Sequence, residues 1–228
     1  MEFSFSTIKD FDSHIDRSIK NYSGLNQDII SLSKYFIEQE TKVIDIGCST
    51  GKLLVEITKA FDEFQINRTE FVGIEIEDNF MKENVAGENR FISFLHGDIK
   101  QVVNERNVFE NVSFCTSIFT LQFLSQKDRL NVIQAVYDGL NRGGAFVFSE
   151  KIYASDAKIQ DMMTFIYYDF KRETFVADDI LDKENSLRKI MKPINYEQIC
   201  QDLKTVGFTS YDMFWKQYNF IGMIAIKN

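Results

Sequence analysis

The sequence predicts an α/β fold, a doubly wound sheet of seven strands with helical additions. Three observations carry that reading. Short apolar, β-branched runs alternate with helically spaced segments along the chain. The first run, Lys42-Val43-Ile44-Asp45-Ile46, passes through Gly47-Cys48-Ser49-Thr50-Gly51 directly into a helical pattern, KLLVEITKAF. Finally, acidic residues sit at the ends of the first two runs, Asp45 and Glu75, where ligands bind in open α/β sheets.

Composition sets the outer bounds. A chain of 228 residues with 44% hydrophobic content and 22 Phe suits one domain with a sizeable core. The net charge of −8 argues against a nucleic-acid surface. No apolar run is long enough to span a membrane, so no membrane partner is expected. The start, Met1-Glu2-Phe3-Ser4-Phe5, lacks the basic and apolar regions of a signal peptide. Cys48, Cys115 and Cys200 are scattered and odd in number, which reads as reduced cytoplasmic thiols. With only His14 and His96, no metal site is expected.

The elements follow in order. Residues 1–24 are polar and aromatic, and Leu25 to Gln39 carries an apolar helical stripe of Ile29, Ile30, Leu32, Tyr35 and Phe36. Residues 1–40 therefore read as a helical cover over the nucleotide strand, with Tyr22 either reaching a ligand or simply packed. The turn at Gly47 to Gly51 lets a ligand approach the backbone and points helix N–H groups at it. It is not Gly-x-Gly-x-x-Gly, because Ser49 takes the second glycine's place, so NAD is disfavoured. It is not a P-loop either, because Leu53 follows Gly51-Lys52.

Glu70 to Glu75 is a second buried strand, and Glu75 is placed to accept from both ribose hydroxyls of a nucleoside. Ile76 follows it, and Asp78 is a candidate cap for the next helix. A third strand runs from Phe91 and exits through His96-Gly97-Asp98-Ile99, with His96 read as strand-end packing. A fourth starts at Val112, and Lys127 to Leu140 is a helix. Asn141-Arg142-Gly143-Gly144 is a helix-stop turn feeding a fifth strand, Ala145 to Ser149. Residues 151–192 form a charged, aromatic helical insertion that is either a lid or a homodimer surface. Pro193 ends it, a helix spans Tyr196 to Val206, and strands at Ser210 to Tyr218 and Ile221 to Ile226 finish the sheet.

Asp45-Ile46-Gly47-Cys48-Ser49-Thr50-Gly51 resembles motif I of the class I S-adenosylmethionine (SAM) methyltransferases, whose fold is Rossmann-like. Further segments narrow the resemblance: Arg17-Ser18 through Tyr22-Ser23, Phe119-Thr120-Leu121-Gln122-Phe123-Leu124, Gly139 to Ala145, Ser149-Glu150-Lys151, Asp156-Ala157-Lys158, Asp169-Phe170-Lys171-Arg172, and Trp215 through Phe220. Over residues 11–227 they are similar to the carboxy-S-adenosyl-L-methionine synthases, which serve tRNA wobble-uridine modification. The resemblance implies SAM as cofactor and prephenate as carboxyl donor: the SAM methyl group loses a proton and captures carbon dioxide, giving carboxy-SAM. It implies that Tyr22, Gly47, Cys48, Ser49, Glu75, Asp98 and Ile99 touch SAM, with Asp45, Gly51 and Ile76 completing the candidate cofactor set.

The departures fall at the reactive end. A carboxylate-binding arginine of the family falls on Glu184 or Asn185, and neither can make the bidentate pair. Paired histidines of the family are Tyr167 and Tyr168 here, and its cofactor-contacting asparagine is Ile118. Arg188, one turn past Glu184, is the candidate replacement. Glu184 itself reads as a solvated surface residue, with a base or a cation-binding carboxylate as the sharper alternatives. The candidate catalytic residues are thus Tyr167, Tyr168, Glu184 and Arg188. Three functions are carried forward: a SAM-dependent methyltransferase of a small molecule, which the missing arginine favours; a carboxy-SAM synthase; and a non-catalytic SAM-binding subunit.

Overall fold

The computed structural model describes residues 11–61, 68–85, 87, 89–105 and 107–228. The first ten residues of the expected N-terminal cover, including the Met1 to Phe5 stretch, lie outside them. Helices α1 (Phe11–Ser18) and α2 (Tyr22–Ser33) precede strand β1 (Lys42–Ile46). Then follow α3 (Lys52–Lys59), β2 (Glu70–Glu75), α4 (Asp78–Lys82), β3 (Ile92–His96), α5 (Ile99–Val102) and β4 (Val112–Ile118). The second half holds α6 (Gln126–Gly139), β5 (Leu140–Lys151), α7 (Ala157–Arg172), α8 (Ala177–Ile190), α9 (Tyr196–Val206), β6 (Ser210–Gln217) and β7 (Phe220–Ile226).

The seven strands form one sheet in the order β3-β2-β1-β4-β5-β7-β6. The first five are mutually parallel, while β7 runs antiparallel to β5 and β6. The central strands β1 and β4 are buried along nearly their whole length, so the polar residues they carry, Asp45, Ser113, Thr116 and Ser117, are buried with their apolar ones. Alternate residues of one strand serve opposite cores: Ile44 and Ile46 pack with α5, α6 and α9, while Val43 packs with α2, α3 and Tyr167 of α7. The strand order reverses between β1 and β4, and the crevice there opens at the carboxyl ends of the parallel strands. Glu75 and Lys151 end strands three places apart on that edge, a span of roughly 14 Å at the usual strand spacing.

Three boundary expectations are corrected. The N-terminal helical stripe starts earlier, at Tyr22, and ends at Ser33, so Tyr35 is left 83% exposed. Asp78 does not cap α4: the cap position is Glu77, in extended conformation, and Asp78 is the first helical residue. Asn141 to Gly144 is a bulge inside β5 rather than a turn before it. Leu140 already pairs with Val112, and Ala145 rejoins the ladder opposite Phe114. Gly143 takes a φ of 84° there and donates its N–H to Lys227 O at 2.7 Å, so the extra residues are tied to the end of β7.

Beneath the sheet, Arg129 of α6 and Glu150 of β5 form an ion pair buried on all sides, and Arg129 Nη2 donates to Lys192 O at 3.2 Å. Such a pair costs most when half of it is removed, because the survivor is an uncompensated charge. Urea unfolding of Arg129→Met and of Glu150→Leu should each show a loss of about 3–5 kcal/mol. The double variant should lose clearly less than the sum of the two, which additive losses would refute.

Candidate active site

The loop after β1 needs left-handed backbone at three places: Gly47 (φ 73°), Ser49 (φ 52°) and Gly51 (φ 78°). Two carry glycine because a side chain has no room. A Cβ on Gly47 would sit 2.1 Å from Thr120 Oγ1, and one on Gly51 would sit 2.6 Å from the Phe94 ring. Ser49 bears the strain without being glycine. Its N–H is held by Glu75 Oε2 at 2.8 Å, and its hydroxyl is buried with no hydrogen-bond partner.

Glu75 accepts two more backbone bonds at Oε1, from Ile76 N at 2.8 Å and Glu77 N at 2.9 Å. It is only 6% exposed, and burial raises its pKa more than these bonds lower it. A carboxylate has about four lone-pair directions, so three backbone bonds leave about one for a ligand hydroxyl, where the sequence reading allowed two. Asp45 lies deeper, accepting from Thr116 Oγ1 at 2.7 Å, and burial pushes its pKa up to about 6, with the Glu75 charge adding to the rise. Asp98 caps α5 by accepting from Lys100 N at 3.0 Å and pairs with the Lys100 ammonium at the same distance.

These groups line one cavity of about 500 Å³, together with Tyr22, Cys48, Ile76 and Ile99. Helix α1 forms part of its wall. Asp12 Oδ2 accepts from Thr50 Oγ1 at 3.1 Å, and His14 Nε2 contacts Lys183. His96 is not the isolated packing residue expected, because Nε2 lies 3.0 Å from Ile76 O and 3.2 Å from Asp78 Oδ1.

The far end of the same cavity differs from expectation. Glu184 is not a solvated residue: it is 7% exposed and pairs with Lys151 at 3.2 Å. Lys151 ends β5, where a parallel strand presents residues to a ligand, and its ammonium lies 5.3 Å from the Tyr167 ring centroid. Lys171 and Lys183 line the cavity beside it. Burial lowers the pKa of both lysines, that of Lys183 to about 8, and burial with the nearby cations lowers His14 to about 4. Tyr167 is buried in this wall against Phe220. Tyr168 and Arg188 are not brought in. Arg188 is exposed, and neither it nor Tyr168 lines the cavity. Arg188 is therefore not placed to replace the family arginine. The sequence reading missed the three lysines, although Lys151's strand-end position was the same signal that exposed Asp45 and Glu75.

Comparison with known proteins places the chain in a family. A family model described as a methyltransferase domain matches residues 43–144. The carboxy-S-adenosyl-L-methionine synthase of Staphylococcus epidermidis is 34% identical over 98% of this chain and 95% of its own. The chain belongs to the carboxy-S-adenosyl-L-methionine synthase family. The Shewanella halifaxensis synthase is 29% identical over 95% of this chain and 88% of its own. Human N-acetylserotonin methyltransferase, solved with SAM, shares the fold with a TM-score of 0.59 and 13% identity, over 91% of this chain and 52% of its own. The YcgJ protein of Bacillus subtilis gives 0.63 and 11%, over 91% and 99%. The protein is a SAM-using transferase, with S-adenosylmethionine as its cofactor. The non-catalytic alternative is thereby set aside. No helix among the described residues is long and apolar enough to cross a membrane, and none of their His, Cys, Asp and Glu side chains cluster to hold a metal ion.

Between pH 4 and 6 the folded chain keeps a proton on Asp45 that the unfolded chain has lost. Stability must then fall as pH rises through that window and stay lower above it. The drop is at most about 3 kcal/mol. A series of denaturation midpoints should show it in the wild type and not in Asp45→Asn. Equal slopes in the two proteins would remove Asp45 as its source.

Proposed function

We propose that the protein is a carboxy-S-adenosyl-L-methionine synthase, using SAM and prephenate. The carrying observation is the charge at the far end of the cavity, where three lysines face one glutamate. That excess of positive charge suits an anionic second substrate. The whole-length similarity to synthases supports the same reading.

The near end fits the nucleoside. On this reading Tyr22, Gly47, Cys48 and Ser49 bound the amino-acid moiety, Gly51 shapes the turn without lining the cavity, and the orphaned Ser49 hydroxyl gains a partner there. Asp45 attracts the ammonium group, Glu75 accepts from the ribose beside Ile76, and Asp98 and Ile99 meet the adenine. Bound SAM supplies the sulfonium-activated methyl carbon. The chain itself positions the two substrates and keeps water from the reacting atoms through Tyr167 and Phe220. Residues 1–228 then act as one SAM-binding domain, with the N-terminal segment and the 151–192 helices around the cavity.

A second reading, methyl transfer to a small-molecule acceptor, draws on one observation. Among the described residues that line the far end, Glu184 is the carboxylate and is bound to Lys151, and no arginine lines the cavity. A mass spectrum of the small molecule released from freshly purified protein separates the two. Carboxy-SAM in the extract, and its formation from SAM and prephenate, is the expected result. Plain SAM or its demethylated product, with no turnover of prephenate, would give the second reading precedence.

Replacing Glu75 by Ala removes the ribose acceptor and releases the Ser49 N–H together. Calorimetry should show SAM binding weakened by about 1–3 kcal/mol. Unchanged affinity would sink the role given to Glu75.

A further inference from the structure

The chain leaves β4 on left-handed backbone at Phe119 (φ 56°), a costly conformation for a residue with a large side chain. The short turn that follows, Leu121–Phe123, carries Gln122 into the cavity wall. Gln122 O accepts from Lys192 N at 2.7 Å, and Gln122 Oε1 accepts from Lys151 N at 2.8 Å. Both partners belong to the far end of the cavity: Lys151 ends β5, and Lys192 lies just past α8. The second bond also fixes which way the carboxamide faces. A backbone N–H needs the oxygen, so the amide nitrogen is turned away from it.

That nitrogen has no acceptor among the described residues, although Gln122 is only 5% exposed. It is not one of the sealed polar atoms that lack a partner, such as Ser117 Oγ and Ser149 Oγ, so it is reached from the cavity. Gln126, four residues on, differs: its amide nitrogen is spent on Asp202, at 2.8 and 2.9 Å. A largely buried donor without an acceptor is costly, and a ligand oxygen removes that cost.

We infer that Gln122 Nε2 donates a hydrogen bond to a carboxylate oxygen of the second substrate. The inference rests on the synthase reading of this cavity. Lys151 is neutralised by Glu184, so at this point of the wall the amide supplies direction rather than charge. Its plane is held by Lys151 N, and the contact therefore sets the tilt of the bound carboxylate.

The test is calorimetric titration of prephenate into protein saturated with S-adenosylhomocysteine, for the wild type, Gln122→Glu and Gln122→Met. The Glu variant keeps the acceptor for Lys151 N and removes the donor. The Met variant has a side chain of similar length and removes both without adding charge. Each variant should bind prephenate at least about tenfold more weakly, the loss expected for a hydrogen bond to a charged group, and both should retain SAM affinity. In nitrogen–proton NMR spectra, the carboxamide signal that Gln122→Met deletes should shift when prephenate is added to the wild type. Wild-type prephenate affinity in either variant overturns the inference and leaves the synthase reading in place. So does a carboxamide signal that prephenate does not move, or a parallel loss of SAM binding in both variants. Gln122-dependent prephenate binding without formation of carboxy-SAM keeps the donor and overturns the synthase reading. No prephenate binding by the wild type overturns both.

Discussion

The carboxylate of Glu75 joins two strand ends that would otherwise move independently. Through Oε2 it holds the N–H of Ser49 in the loop after β1, and through Oε1 it holds the chain just past β2. Left-handed backbone at Ser49, a residue with a side chain, persists because that bond and the two flanking glycines leave it no alternative. The shape of the nucleoside end therefore depends on a single charged group, and the same group is offered to the ligand. Its burial next to Asp45 concentrates negative charge at one end of the cavity, where the cofactor brings an ammonium and hydroxyl donors.

The opposite end reverses the sign. Lys151, Lys171 and Lys183 come from β5, α7 and α8, elements whose only common feature is that they meet at this wall. Aromatic faces from Tyr167, Phe175 and Phe220 flank two of the ammonium groups and exclude water from them. On the proposed reading, a cavity with carboxylates at one end and ammonium groups at the other orients a zwitterionic nucleoside and a second, anionic molecule.

The sheet and the grouping of Asp45 and Glu75 at one end of the cavity were legible in the sequence because both rest on local signals. β2 and α9 begin and end where the apolar runs and Gly207 place them, and Asp45 and Glu75 stand at strand ends. The bulge at Asn141 to Gly144 was not legible, since its cause is a pairing with Lys227 at the other end of the chain. The reactive end was hidden for a similar reason. Glu184 and Arg188 lie one helical turn apart and look equivalent in sequence, yet packing of α8 against α7 buries the first and exposes the second. Only tertiary contact distinguishes a lysine that lines a cavity from one that solvates a helix.

The pairing of Lys151 with Glu184 has one more consequence. Glu184 is a carboxylate tethered to the same chain, so it faces the Lys151 ammonium at an effective concentration that no dilution lowers, on the order of millimolar or above. A free carboxylate that seeks Lys151 must displace this internal competitor, and below that concentration it loses. Lys151 therefore behaves as a fixed, self-neutralised part of the wall across ordinary substrate concentrations. It would become an open anion site only in a variant that lacks Glu184.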